Sequence, residues 1–245
     1  MSEPAESLDH LEALYAVQAR DTAIDVLRHR RVALPERSEL DGVLRTGQGA
    51  HETMVALRAR RDDLGRAVGA LDLEARGIAD KAKGVEAKLY SGTVTSPREL
   101  QDLQADLDQL RRHQGELEER ELEQMEAAEQ LDREVAAAEA VVGSLKADVA
   151  RLQQAISSQE TSIDAELAAE EAERGRLAAG VGAPLLADYE RRRAQNNGHG
   201  AALLVGDTCQ GCRLSIPSTE VDEIHHDTSG RTWYCDNCGA ILVPR

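Results

Sequence analysis

The sequence predicts a mainly α-helical protein: a long antiparallel coiled-coil hairpin over residues 1–179, a short helix and linker over 180–200, and a small β-containing C4 zinc ribbon over 201–245. Three observations point there. Apolar residues repeat in heptads on both sides of one central interruption. The chain lacks the large side chains of a globular core, with no Phe, one Trp and four Tyr against 30% charged residues. All four cysteines fall in the last 37 residues, as two Cys-x-x-Cys pairs.

Composition also excludes function classes. Ala, Leu, Glu, Arg, Gln and Asp dominate residues 5 to 178, as in long helices and unlike α/β enzymes. A net charge of −16 argues against a surface devoted to nucleic acid or anionic lipid, because neutralising phosphate needs clustered Lys and Arg. The opening "MSEPAESLDH" is acidic and has no signal-peptide core, and no apolar run nears the ~18 residues of a membrane span. The expectation is a cytoplasmic protein with no membrane partner. In a reducing compartment, paired cysteines point to metal before disulfides.

The first arm contains candidate helices at 5–34 and 36–90, separated by Pro35. Counted through the proline, it matches the second arm in length, which favours a kink near 35 over a separate domain, the alternative being a true break. Apolar residues recur at Leu57, Leu64, Leu71, Ile78 and Val85, with a second stripe at Met54, Val68, Ala75, Ala82 and Leu89. Alternating spacings of three and four make a coiled-coil seam. The second arm repeats this with Leu100, Leu107, Val135, Val142, Val149, Ile156 and Ile163, and with Leu103, Leu110, Leu117, Leu131, Leu145 and Leu152. Folding the chain between them pairs Leu57 with Leu131, Leu71 with Leu117, Ile78 with Leu110 and Val85 with Leu103 in one antiparallel register. Gln114, Glu121 and Gln124 bring polar groups into the seam, near Arg61 of the first arm, and read as a stutter that specifies register.

The tip, residues 90–97, is written in the chemistry of helix ends. Gly92 can take the positive φ that stops a helix, and Thr93, Val94 and Thr95 disfavour helix. Ser96-Pro97-Arg98-Glu99 is a capping box with proline at the first helical position. A connection between antiparallel helices needs only two to eight residues of ordinary turn chemistry. Tyr90, an exposed Val94, and the hydroxyls of Ser91, Thr93 and Thr95 exceed that need, so Tyr90, Ser91, Thr93, Val94, Thr95 and Arg98 are candidate partner-binding residues. The alternative is that Tyr90 only covers the last apolar layer with Leu89 and Leu100.

"GVGAPLL" at 180–186 ends the hairpin, Pro184 opens a short helix through "LLADYERRR", and "AQNNGHGA" reads as a flexible connection. In the ribbon, "CQGC" at 209–212 and "CDNCG" at 235–239 have 22 residues between their inner cysteines. Each knuckle presents two sulfurs to one side, and two knuckles complete a tetrahedron about one structural Zn2+, with Zn–S near ~2.3 Å. The ligands are Cys209, Cys212, Cys235 and Cys238, and Gly239 lets backbone amides turn toward the sulfurs. "TSG" at 228–230 reads as a turn, and "RTWYC" and "AILVP" as strands. The metal replaces a core that so short a segment cannot build. A thioredoxin-like redox pair would need a βαβ unit, which is absent. His225 and His226 read as a solvated pair, since four thiolates fill the shell. No paired carboxylates, nucleophile elbow or phosphate loop is present, so no catalytic residue and no small-molecule substrate is predicted.

"LYSGTVTSPRELQDLQ", "LLADYERRR" and "CQGC" with "CDNCGAIL" resemble the bacterial coiled-coil proteins that carry a C-terminal C4-type zinc ribbon. The resemblance spans residues 88–245; the flagellar members of that family act on the alternative sigma factor sigma-54 and on a flagellin messenger RNA. Asp236, Ala240 and Val243 stand where that family commonly has Pro, Arg and Tyr. The resemblance implies a hairpin with a ribbon, and a regulatory role connected with transcription.

Two functions follow. The first is a non-enzymatic, zinc-binding adaptor or chaperone-like protein that presents its tip and ribbon to protein partners. The alternative is an RNA- or DNA-binding protein acting through the ribbon. Against it, Asp207, Glu220, Asp222, Glu223, Asp227 and Asp236 outnumber Arg213, Arg231 and Arg245 in that segment. The basic runs "RHRR" (28–31), "RARR" (58–61) and "RRR" (191–193) read as solvated helix faces.

Overall fold

A computed structural model describes residues 8–227 and 229–245. The first residues of the predicted N-terminal helix, and Thr228 of the predicted ribbon turn, lie outside them. The helices α1 (Leu8–Val32), α2 (Pro35–Tyr90), α3 (Pro97–Ala178) and α4 (Ala183–Gln195) precede a small domain. That domain contains β1 (Ala201–Val205), β2 (Thr208–Cys209), α5 (Ser218–His226), β3 (Trp233–Tyr234) and β4 (Ile241–Pro244). The chain forms two compact units: residues 39–152, and the residues up to Ser38 together with Gln153–Arg245. This partition differs from the linear one read from the sequence.

In the unit 39–152, α2 and α3 make the hairpin around its tip. The buried side chains are Met54, Ala75 and Ala82 on α2, and Leu107, Leu117, Leu131, Val142 and Leu152 on α3. Every one belongs to a predicted stripe. Cross-helix ion pairs give the direction: Glu39 meets Arg151, Arg58 meets Glu139, Arg61 meets Asp132, Glu86 meets Arg111 and Lys88 meets Glu99. Partner numbers fall along α3 as they rise along α2, which is antiparallel pairing. Gln114, Glu121 and Gln124 are half-buried in the seam. Gln114 donates to Glu118 of its own helix at 2.7 Å.

In the other unit, the proline produces a break and not the expected continuous kink. Helix α1 stops at Val32, the Ala33 amide still donates to the His29 carbonyl at 2.9 Å, and Pro35 is the first residue of α2. Proline at that position loses no bond, because the first amides of a helix have no intrahelical partner. The interruption is local: Arg31 before it and Arg37 after it both reach Glu160 of α3, at 3.5 and 2.5 Å.

The sheet runs β2-β1-β4-β3, with β1 parallel to β4 and the other pairs antiparallel. Successive strand side chains face opposite sides, so the sheet carries two cores. Ala201, Ile241 and Val243 pack with Leu11, Leu14 and Val17 of α1, and with Ala178, Val181, Leu185 and Tyr189. Ala202, Leu204 and Leu242 pack on the other side with Ile216, Ile224, Ala240 and the buried Cys209 and Cys235. The boundary read at residue 200 therefore cuts through a shared core.

The linker is fixed, contrary to its reading as flexible. Gln18, 4% exposed on α1, donates from Nε2 to the Gly198 carbonyl at 2.9 Å. Its Oε1 accepts the amides of Gly200 and Ala201 at 2.8 and 3.2 Å. Burying a polar side chain is tolerated when it is hydrogen-bonded in this way. Strand β1 and helix α5 were not read from the sequence; α5 has nine residues, and only Ile224 among them is buried.

Candidate metal centre and hairpin tip

The fold brings the four predicted cysteines together, their sulfurs all within 4.8 Å of one another. Cys209 Sγ lies 3.9 Å from Cys238 Sγ, and Cys212 Sγ 3.8 Å from Cys235 Sγ. A tetrahedron with Zn–S of ~2.3 Å has sulfur–sulfur edges of about 3.8 Å, whereas a disulfide would bring two sulfurs to about 2.05 Å. The donor set therefore fits one tetrahedral zinc. His225 and His226 are exposed on α5 and are not part of this cluster.

Two matching turns build the site. The amide of Arg213 donates to the Cys209 carbonyl, and that of Gly239 to the Cys235 carbonyl, each at 2.7 Å. The residue after each second cysteine is left-handed, Gly239 at φ 73° and Arg213 at φ 60°. Glycine takes that conformation freely, and arginine only under constraint. Burial pushes the thiols of Cys209 and Cys238 up, Cys238 to about 12, with the amides of Gly211, Cys212 and Ala240 pulling the other way. At Cys212 burial also pulls upward. The Leu214 amide and hydrogen bonds from Cys235, Cys209 and Cys238 outweigh it and hold this thiol below its ordinary value. Thiols raised by burial become thiolates when a cation sits beside them, so metal binding here releases protons.

Helix α4 locks onto the second knuckle through residues that the sequence offered only as a basic run. Arg192 Nη1 donates to the Gly239 carbonyl at 2.7 Å, Nε donates to Asp188 at 2.8 Å, and the guanidinium lies 3.7 Å from the centre of the Tyr234 ring. Arg193 pairs with Asp25 and lies 3.8 Å from Asp21. Tyr189 is fully buried and donates to Asp21 Oδ2 at 2.7 Å, while Arg174 donates to Oδ1 at 3.2 Å. Burial and the Asp21 carboxylate together push the Tyr189 phenol far above its ordinary range. The i, i+4 spacing of Asp188 and Arg192 was the one local signal for this clamp.

The other basic runs are likewise engaged. Arg28, Arg30 and Arg31 pair with Glu171, Glu166 and Asp164, and Arg58 and Arg61 with Glu139 and Asp132, all acids of α3.

At the tip, Gly92 has φ 72°, and Ser96 accepts the Glu99 amide at 3.5 Å, a long cap. Ser91 Oγ donates to the Lys88 carbonyl at 2.8 Å and lies 2.6 Å from Thr93 Oγ1. Two of the candidate hydroxyls thus brace the turn. Val94 is half-buried, not exposed as expected; Thr95 and Arg98 are exposed. Tyr90 is 73% exposed, so it does not cover the layer of Leu89 and Leu100.

The geometry defines a class of protein, a helical hairpin whose terminal segments join a four-thiolate ribbon. The chain belongs to the family of the CT398-like coiled-coil hairpin domain, whose model matches residues 17–197, and residues 208–242 match the C4-type zinc ribbon domain. The four cysteines accordingly hold one structural Zn2+. An uncharacterized protein of Mycobacterium tuberculosis is 32% identical over 223 residues, covering 91% of this chain and 90% of that one. A solved structure from Mycobacterium smegmatis is similar at TM-score 0.85 and 24% identity, covering 98% of this chain and all of that one. CT398 from Chlamydia trachomatis has the same fold at TM-score 0.65 and 16% identity, over 97% of this chain and 98% of that one. No helix among the described residues is long and apolar enough to cross a membrane.

Proposed function

We propose that the protein is a non-enzymatic, zinc-binding adaptor that presents its coiled-coil tip and its ribbon to protein partners. The observation carrying this reading is Tyr90, a large aromatic at the end of α2 that is 73% exposed. Thr95 and Arg98 of the same tip are also exposed, and an aromatic with adaptable polar groups is what small interfaces use. The acidic partners of the basic runs speak against a phosphate-binding surface there. In the flagellar proteins that the tip and ribbon resemble, the partner is a sigma factor, so components of transcription are the first partners to test.

Tyr90→Ser with Val94→Ser is the decisive variant. Zinc content and thermal unfolding stay unchanged, and a crosslinking pulldown from the native cell extract loses proteins that the parent captures. The same proteins in the same amounts would reduce the tip to a turn. In a parallel gel shift with total cellular RNA, a strong, salt-sensitive shift by the full-length protein would favour the nucleic-acid alternative.

A further inference from the structure

Helix α4 ends in a Schellman turn that puts a labile dipeptide on the surface. Asn196 caps the helix, Asn197 follows in the left-handed conformation at φ 50°, and the Gly198 amide donates back to the Arg193 carbonyl at 3.0 Å. After glycine, asparagine is the residue that accepts this position, so the turn accounts for the residue type. It also sets an electrophile beside a nucleophile. Asn197 is exposed, and its side-chain amide makes no hydrogen bond among the described residues. Asparagine is one of the thermolabile residues, and the next nitrogen belongs to Gly198, which has no Cβ to hinder it. Two contacts restrain the pair. The Gly198 amide is engaged by Arg193, and Gln18 of α1 holds the Gly198 carbonyl at 2.9 Å together with the amides of Gly200 and Ala201.

We propose that Asn197 is a self-modification site, masked while Gln18 holds the linker and unmasked when α1 lets go. The Gly198 nitrogen, its proton passed to water, attacks Cγ of Asn197. A five-membered imide closes, the bond from Cγ to Nδ2 breaks, and Nδ2 leaves with the electron pair and a proton from water, as ammonia. Water then opens the imide. Addition at Cγ gives aspartate, and addition at the main-chain carbonyl gives isoaspartate, in which the chain runs through the former side chain. The attack needs the Gly198 nitrogen free of the Arg193 carbonyl, so its rate follows the fraction of molecules with an open linker. Isoaspartate lengthens the main chain between residues 197 and 198, where a normal peptide fixes the Cα spacing at ~3.80 Å. The three bonds of Gln18 depend on that register. The product also adds a carboxylate next to Gly198, where a Cβ would lie 3.4 Å from Asp25 Oδ2. An opening of α1 is thereby turned into a state that does not close again, whatever partner the tip has.

Zinc-loaded full-length protein is held in warm neutral buffer and digested at low pH. Mass spectrometry of the peptide with residue 197 follows conversion of amide to acid, and chromatography separates isoaspartate from aspartate. The same chain in denaturing urea with a reductant gives the unmasked rate. The folded protein converts at least about tenfold more slowly than that, and Gln18→Ala, with zinc content and helical circular dichroism unchanged, at least about tenfold faster than the folded parent. Urea below the unfolding midpoint, which needs no substitution, accelerates the parent as well. For the consequence, parent and Asn197→Gly are aged in urea, refolded with zinc and compared by hydrogen exchange; glycine accepts φ 50° and has no amide to lose. The isoaspartate-containing parent lacks protection in α1, and Asn197→Gly regains it. Equal conversion of folded and unfolded chains, a folded Gln18→Ala no faster than the parent, no acceleration by urea below the midpoint, or α1 protection that is the same in the two aged proteins would each overturn the proposal.

Discussion

Gly200 has no room for a side chain, because a Cβ there would lie 2.5 Å from the Tyr189 ring and 2.7 Å from the Tyr189 carbonyl. Tyr189 cannot retreat, being fully buried with its hydroxyl on Asp21. Gly200→Ala should therefore cost about 1–3 kcal/mol, the usual penalty of overpacking, read as a lower urea midpoint. An unchanged midpoint would mean that the ring and strand β1 shift without cost. None of this was legible locally. "AQNNGHGA" has the composition of a mobile turn, and what immobilises it is the Gln18 side chain, 180 residues from Gly198. The knuckles show the opposite case: cysteine spacing carries its own geometry, so all four ligands could be named from the sequence. Arg213 could not be marked as left-handed by its residue type, although the corresponding place after Cys238 is glycine.

Among the elements, the hairpin was the most legible, because a heptad seam writes its burial into periodicity. Leu117 and Leu107 are each 1% exposed, while the ion pairs flanking the seam are open to water. Leu117→Ala should cost about 2–5 kcal/mol through lost burial and a residual cavity, measured by urea unfolding. Arg61→Ala should leave the midpoint where it was, since exposed pairs are screened and entropically offset. Equal effects from the two variants would show that charge, and not the seam, holds the arms. Short elements were less legible. Helix α5 offers too few turns for a period to emerge, and its burial depends on the sheet beneath it. The break at Pro35 was readable as an interruption, but its form depends on Leu34 being buried while Val32 and Ala33 are exposed.

At the scale of the molecule, zinc and the N-terminal helix serve one core. The sheet that carries Cys209 on one side packs Ala201, Ile241 and Val243 against α1 and α4 on the other, and Arg192 ties α4 to the Gly239 carbonyl. Removing the metal with a strong chelator should release amide-exchange protection in the sheet and α4 and also in α1. Residues 39–152 form their own compact unit and should keep theirs. Protection lost only within 201–245 would show that the ribbon folds alone, as the linear reading implied. The sequence could place the zinc because thiolate spacing is local. It could not place the partition, because a core shared between residue 11 and residue 243 leaves no mark at either position.

The grip of Gln18 on Gly198 has a consequence for synthesis. The ribosome delivers α1 before its partners: the groups that hold Gln18 and Asp21 emerge about 150–180 residues later. At roughly 5–20 residues per second, the nascent helix waits on the order of ten to forty seconds with its apolar face uncovered. In proteins most helical stability comes from tertiary packing of the apolar face, and α1 has that packing only once the ribbon is made. Helix α1 therefore completes its packing only after the strands of the ribbon have been made.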